Sequence, residues 1–202
     1  MSRKLLVATH NSHKTSEIRE ILADHFDEVC DLADEPGAVP PEETGTTFAE
    51  NSAIKALAVG GGREGVWVLA DDSGLEVDAL GGAPGVFSAR YSGEGASDAD
   101  NRARLLAELA CPEHAESART ARFRCVLSLA RDGEMVAQFD GAVEGRILAG
   151  ERGCGGFGYD SLFVPEGFEE SFGELPESVK NAISHRARAL AKLREWLAAE
   201  AG

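Results

Sequence analysis

Three carboxylates and two lysines, brought in by separate stretches of the chain, are the groups best suited to chemistry. In LADDSG, Asp71 and Asp72 follow directly on the apolar run 66–70. Successive strand residues face opposite ways, so the two acids share a ligand only if a turn at Ser73-Gly74 converges them. The plain alternative is an ordinary strand-ending Asp turn. In EETGTTFAENSAIKA, Glu43 precedes a helix on which Asn51 and Lys55 stack one turn apart. Oxygen ligands from Glu43, Asp71 and Asp72 suit Mg²⁺, which is commonly held by one or two carboxylates plus substrate phosphates. Lys55 then faces the same phosphates, although such residues in isolation are more often a solvated helix face.

The stretch THNSHK, Thr9 to Lys14, ends an apolar run and opens a helical pattern. A helix N-terminus after a strand offers unpaired N–H groups to an anion. Thr9, Asn11 and Ser12 add donors, and Lys14 adds a point charge. The Walker pattern GxxxxGK[ST] is absent. Read alone, the stretch serves equally as a phosphate cradle or as a helix cap, with Asn11 or Ser12 capping and Lys14 paired to Glu17. His10 and His13 lack a third ligand beside them and read as solvated loop residues.

Two further segments suit a base. GGFGYD at 155–160 carries a stacking face in Phe157 and glycines that allow close backbone approach. VKNAISHR at 179–186 carries donors for oxo groups in Lys180, His185 and Arg186. The bland alternatives are a glycine-rich hairpin and a Ser184 helix cap with surface charge.

The elements that must position these residues read as follows. Lys4 to Ala8 is a short buried strand, and Ile18, Ile21 and Leu22 recur at helical spacing from Thr15. Residues 34–46 form a loop, and Thr47 with Glu50 makes a capping box for a helix to Val59. Val66 to Ala70 is a strand buried on both faces that stops at Asp71, with Leu75 to Leu80 as a separate strand. Asp98 caps a helix to Leu109. Arg119 to Ala130 and Glu134 to Phe139 form a hairpin across Asp132-Gly133. Leu162 to Val164 is a short run, and one long C-terminal helix carries the stripe Ile183, Ala187, Leu190, Leu193 and Leu197. Interleaved strands and helices with a late hairpin make the class α/β, a mixed twisted β-sheet flanked by helices.

At 202 residues the chain suits a single domain over 1–202. The net charge of -15, from 35 acidic against 20 basic residues, opposes nucleic-acid backbones and anionic membranes but leaves small nucleotides open. Cysteines 30, 111, 125 and 154 show no CxxC pairing and read as cytosolic thiols. With no signal-peptide pattern and no apolar run near ~18 residues, a cytoplasmic location is expected.

Taken in order, T-x-N-x-x-K-x-x-E-I, E-E-T-G-x-T-F-x-E-N, A-D-D-S-G-L-x-V-D-A-L-G-G-x-P-G, S-A-R-Y-S-G, G-G-F-G-Y-D and K-x-A-I-S-H-R resemble the inosine/xanthosine triphosphate pyrophosphatases over almost the whole chain. The resemblance implies Mg²⁺-dependent hydrolysis of ITP, dITP and XTP to monophosphate and pyrophosphate, on a homodimer with two lobes and a central nucleotide cleft. It implies that Thr9, His10, Asn11, Ser12, His13 and Lys14 hold the triphosphate, and that Glu43, Asp71 and Asp72 hold the metal. Asp72 is then the proton acceptor, with Lys14 and Lys55 neutralising charge. Ser73, Phe157, Gly158, Tyr159, Asp160, Lys180, His185 and Arg186 then contact the nucleotide. The chain departs from the family pattern at His10 and His13, where glycine is common, and at Ser161, where proline is usual. The alternatives are a pyrophosphatase of different base preference and a non-catalytic nucleotide-binding regulator.

Overall fold

Alternation of side chains along a few central strands organises the molecule. The computed structural model describes residues 3–35, 41–111, 114 and 119–200; residues 36–40 of the expected 34–46 loop lie outside them. The strands are β1 (Lys4–Val7), β2 (Glu28–Asp31), β3 (Trp67–Val77), β4 (Thr120–Arg131), β5 (Glu134–Ile147) and β6 (Phe163–Pro165). They hydrogen-bond in the order β2-β1-β3-β4-β5-β6. β1 pairs parallel with β2 and β3, and β5 pairs antiparallel with β6, so the sheet is mixed as expected. The β4–β5 turn is Asp132-Gly133, both at positive φ, as a tight hairpin requires.

The helices are α1 (Ser12–Leu22), α2 (Phe48–Gly60), α3 (Asp98–Leu109), α4 (Glu177–Ile183) and α5 (His185–Glu200). The chain divides into two compact units, one of residues 1–72, 125–141 and 186–202, the other of 73–124 and 142–185. In the first unit, Leu5, Val7, Trp67 and Leu69 pack with Ile18 and Leu22 of α1 and Leu190, Leu193 and Leu197 of α5. The intervening residues Leu6, Ala8, Val68 and Ala70 pack instead with Ala56 and Val59 of α2. Period-2 alternation therefore sorts one strand's side chains between two helical layers. In the second unit, Leu75, Val77, Phe123, Leu162, Phe163 and Phe172 share a core with Leu105 and Leu109 of α3. No helix among the described residues is long and apolar enough to cross a membrane.

Several sequence expectations change, and β5 for one runs to Ile147 rather than ending at Phe139. β3 does not stop at Asp71 but runs on to Val77, because Leu75 and Val77 continue its buried alternation. Residues 78–80 are a 3₁₀ turn rather than strand. α3 is capped by Ser97, in a capping box with Asp100, and not by Asp98. The C-terminal helix is broken at Ser184, whose ψ of 161° is extended, so Ile183 belongs to α4 and packs in the second unit's core.

At α2 the expected capping box is present, Thr47 accepting from the Glu50 N–H and Glu50 accepting from the Thr47 N–H. Thr47 is exposed, so Thr47→Ala should leave packing intact and remove only the cap. A loss of about 1 kcal/mol in urea unfolding is expected.

Candidate active site

The uninterrupted course of β3 decides the charge geometry. Asp71 continues the Trp67 and Leu69 series and faces the α1 and α5 layer. There Arg186 donates from Nε to Asp71 Oδ2 at 2.8 Å and from Nη1 to Glu17 Oε2 at 2.6 Å. Lys14 Nζ bonds Asp71 Oδ1, and the Cys125 thiol donates to Oδ2 at 3.2 Å. The side chains of Asp71 and Arg186 are 0% and 1% exposed. Burial alone would raise the Asp71 carboxyl, but the Arg186 guanidinium and then the Lys14 ammonium outweigh it and hold it well below the usual carboxylate range. Burial and the Asp71 charge push the Cys125 thiol well up, so it is a proton donor here and no thiolate.

Asp72 continues the Val68 and Ala70 series and faces α2. Lys55 Nζ donates to Asp72 Oδ1 at 2.8 Å and to Glu43 Oε1 at 2.9 Å, so one ammonium bridges two carboxylates. Burial would lower Lys55, but Asp72 and Glu43 prevail and hold it above its ordinary value. At Asp72 burial wins over Lys55, and the carboxyl is raised. Its second oxygen, Oδ2, is buried and has no hydrogen-bond partner among the described residues. Glu43 is held in place from α2. The Gly45 N–H donates to Asn51 Oδ1 at 2.8 Å, while Glu50 Oε2 accepts from the Thr46 and Thr47 N–H groups. A Cβ on Gly45 would lie 2.6 Å from Asn51 Oδ1, so the chain can press against α2 only as glycine there.

At the start of α1, Asn11 is the N-cap, its Oδ1 accepting from the His13 and Lys14 N–H groups at 3.0 and 3.3 Å. Thr9 Oγ1 accepts from the Asn11 N–H at 3.1 Å. Both stabilise a loop whose end presents helix N–H groups. His10 and His13 are exposed, and neither has positive φ, so histidine meets no backbone strain at either position.

In the second unit, 155–160 winds around the Asp160 carboxylate. Asp160 Oδ2 accepts from the Phe157 N–H at 2.8 Å and from Lys180 Nζ at 2.6 Å. A Cβ on Gly156 would stand 2.0 Å from that same oxygen, which explains the glycine. The Lys180 ammonium lies over the Phe157 ring, 4.5 Å from its centroid. Tyr159 donates its hydroxyl to the Ser88 carbonyl at 2.9 Å. The His185 ring stacks on Phe123 at 5.0 Å with 14° between planes. Ser73 is half-buried within β3.

With this arrangement established, similarity to known proteins becomes specific. Residues 5–196 match the model of the Ham1 family. The chain belongs to that family. A dITP/XTP pyrophosphatase of Geobacter sulfurreducens is 48% identical over 194 residues, 96% of each chain. One from Listeria innocua serovar 6a is 47% identical, over 96% of this chain and 95% of the relative. Among solved structures, a HAM1 protein from Coxiella burnetii aligns with TM-score 0.86 at 38% identity, covering 97% of this chain and 98% of that one. A nucleoside-triphosphatase / dITP/XTP pyrophosphatase from Mycobacterium abscessus aligns with TM-score 0.73 at 41% identity, covering 94% and 98%.

In this Ham1 chain, the structure places Lys14, Asp71 and Arg186 in one ion cluster and Glu43, Lys55 and Asp72 in another. The turn expected to converge Asp71 and Asp72 is absent, and β3 sends them to opposite faces. Among the described residues no group of three or more His, Cys, Asp or Glu is assembled to hold a metal. The three-carboxylate set expected from Glu43, Asp71 and Asp72 is thus divided, with Asp71 engaged by Lys14 and Arg186. Glu17, the partner of Lys14 in the helix-cap alternative, receives Arg186. Sequence reasoning also missed Cys125 as a donor to Asp71. Glu17 carried a faint signal, being an acid one turn after Lys14 at a position that the Ile18 and Leu22 spacing leaves half inward.

Replacing Arg186 by Met tests the first cluster. It leaves Asp71 and Glu17 buried without their guanidinium, at an expected cost of about 3 to 5 kcal/mol. In wild type the depressed Asp71 gives stability that is present above its unfolded value and lost as pH falls below about 4. In Arg186→Met the same carboxyl should be raised instead, a cost present at high pH and relieved by protonation. The stability deficit in urea titrations should therefore be largest near about pH 8 and narrow toward about pH 5.

Proposed function

We propose that this chain hydrolyses non-canonical purine nucleoside triphosphates, ITP, XTP and their deoxy forms, to the monophosphate and pyrophosphate. The observation that carries the chemistry is Asp72 Oδ2, a buried carboxylate oxygen without a hydrogen-bond partner among the described residues, next to an ammonium shared with Glu43. An unsatisfied buried acceptor is costly unless a ligand or water completes it. The names of the relatives, at 46 to 48% identity, supply the substrate class.

Asp72 fits the role of proton acceptor. One oxygen is fixed by Lys55, the other has no hydrogen-bond partner among the described residues and can accept from an attacking water held at the site, and burial raises its basicity. The water adds to the α-phosphorus as Asp72 Oδ2 takes its proton, and the bond to the bridging oxygen breaks to release pyrophosphate. Lys14, half-buried beside the α1 N-terminus, and Lys55 offset charge developing on the departing oxygens. In the α1 loop the Thr9 hydroxyl, the Asn11 side-chain amide and the Ser12 hydroxyl are donors suited to the phosphates, the His13 and Lys14 N–H groups being taken by the Asn11 cap.

Glu43 and Asp72 are the carboxylates fitted to a divalent cation, since Lys55 already draws one oxygen of each together and Asp72 keeps a second oxygen without a hydrogen-bond partner among the described residues. Bound there with the nucleotide, Mg²⁺ would supply Lewis-acid polarisation of the phosphates. In the second unit Phe157 offers a stacking face, and Lys180 and His185 are the donors suited to a 6-oxo purine. Donors aimed at a 6-oxo group would meet the exocyclic amine of adenine donor to donor.

The test is pyrophosphate release from ITP, XTP, dUTP and ATP with Mg²⁺. ITP and XTP should be turned over fastest, and faster release from ATP or dUTP would sink the substrate claim. Asp72→Asn keeps shape and removes the base, and a fall in kcat of at least about a hundredfold is expected. His10→Gly with His13→Gly should keep ITP turnover near wild type, at a cost of up to ~1 kcal/mol in helix stability; abolished turnover would mean the histidines contribute directly.

A further inference from the structure

Gly158 has both of its own peptide groups occupied by side chains of one helix. Its N–H donates to Asp98 Oδ2 at 2.7 Å, and its carbonyl accepts from Arg102 Nη1 at 2.9 Å. Asp98 and Arg102 stand one turn apart on α3, so they project to the same side. Arg102 reaches a second point as an ion pair, its Nε lying 3.0 Å from Glu151 Oε2, and that carboxylate accepts a hydrogen bond from Ser161 Oγ at 3.0 Å. One helix turn thus grips the glycine-rich segment at 151 and again at 158. The φ of +60° at Gly158 brings its N–H and carbonyl to this clamp in a conformation that favours glycine.

Asp98 also lies in the first turn of α3, but the helix has a cap and core contacts apart from Asp98 and Arg102. Its cap is Ser97 with Asp100, and it is seated by Leu105 and Leu109 and by Asn101, which accepts from the Ser92 N–H and donates to the Ala89 carbonyl. Asp98 is exposed and Arg102 half-buried. The clamp instead serves Phe157, whose two following residues are both gripped. Gly158 is held by α3, and Tyr159 is anchored on the Ser88 carbonyl. Phe157 itself is fixed by the Asp160 carboxylate and the Lys180 ammonium. A stacking ring ordered before the ligand arrives removes an ordering cost from binding.

We propose that Asp98 and Arg102 are positioning residues that hold the Phe157 loop for the purine, and so set KM and base selectivity without touching the nucleotide. This rests on the pyrophosphatase reading for the identity of the ligand, though not for the existence of the clamp. Asp98→Ala, Arg102→Met, Arg102→Lys and the Ala/Met double variant of the full chain are compared with wild type by steady-state kinetics on ITP and ATP. Hydrogen exchange over 150–160 and thermal unfolding complete the comparison.

The double variant is expected to raise KM for ITP about tenfold, the scale of losing charge-assisted hydrogen bonds. Its kcat should stay within about twofold of wild type, and the preference for ITP over ATP should shrink. Exchange over 150–160 should accelerate with little change in Tm, and Arg102→Lys should recover part of the KM because an ammonium still donates to the Gly158 carbonyl. Unchanged exchange and KM in the double variant, beside an active wild type, overturn the clamp. Parallel losses in kcat, KM and Tm for both substrates would reduce it to a general structural role and overturn it equally. A wild type that releases no pyrophosphate from ITP overturns the pyrophosphatase reading and with it the purine role, while loop exchange still decides whether Asp98 and Arg102 hold the segment.

Discussion

Two adjacent carboxylates are buried in the middle of a single extended strand, and the charges around them follow from the need to neutralise both. Because β3 keeps its alternation through Asp71 and Asp72, each acid enters a different helical layer and meets a different cation. Asp71 receives Arg186 and Lys14 and is held ionised; Asp72 receives Lys55, shared with Glu43, and is raised. One stretch of sequence therefore yields two electrostatic environments. Their separation is the sort of divergence between neighbouring titratable groups that marks functional sites.

The two environments divide the work physically. Around Asp71 the charges balance, two carboxylates against an arginine and a lysine, and a thiol donates as well. Such an arrangement fixes the start of α1 relative to β3 and α5, and so fixes the direction of the Lys14 ammonium. Around Asp72 one ammonium bridges two carboxylates, and Asp72 Oδ2 has no hydrogen-bond partner among the described residues. A closed cluster suits positioning, whereas an open one suits a ligand.

The second unit solves a different problem, how to give shape to a segment with no regular structure of its own. The run 150–158 is rich in glycine and carries a high conformational cost of ordering. It is held by side chains supplied from outside it, Asp160, Asp98 and Arg102 among them. The glycines permit the close approaches, and the charged side chains select one conformation from those the glycines allow.

Local sequence determined much of this protein. Apolar spacing placed β1 and α1, the Thr47 and Glu50 box marked the start of α2, and the order of short motifs identified the family. Those features are legible because they depend on neighbours within a turn or two. The end of β3 was not legible, because two aspartates look like a strand end unless the cations that bury them are known, and Arg186 is 115 residues away from Asp71. The break at Ser184 hid inside a continuous helical stripe, and the partners of Asp98 and Arg102 lie in a loop across the sequence. Which charge neutralises which, and therefore which carboxylate stays open, is a long-range pairing that only the tertiary structure decided. The energy of a buried charge depends on what surrounds it in space and not on what precedes it in the chain.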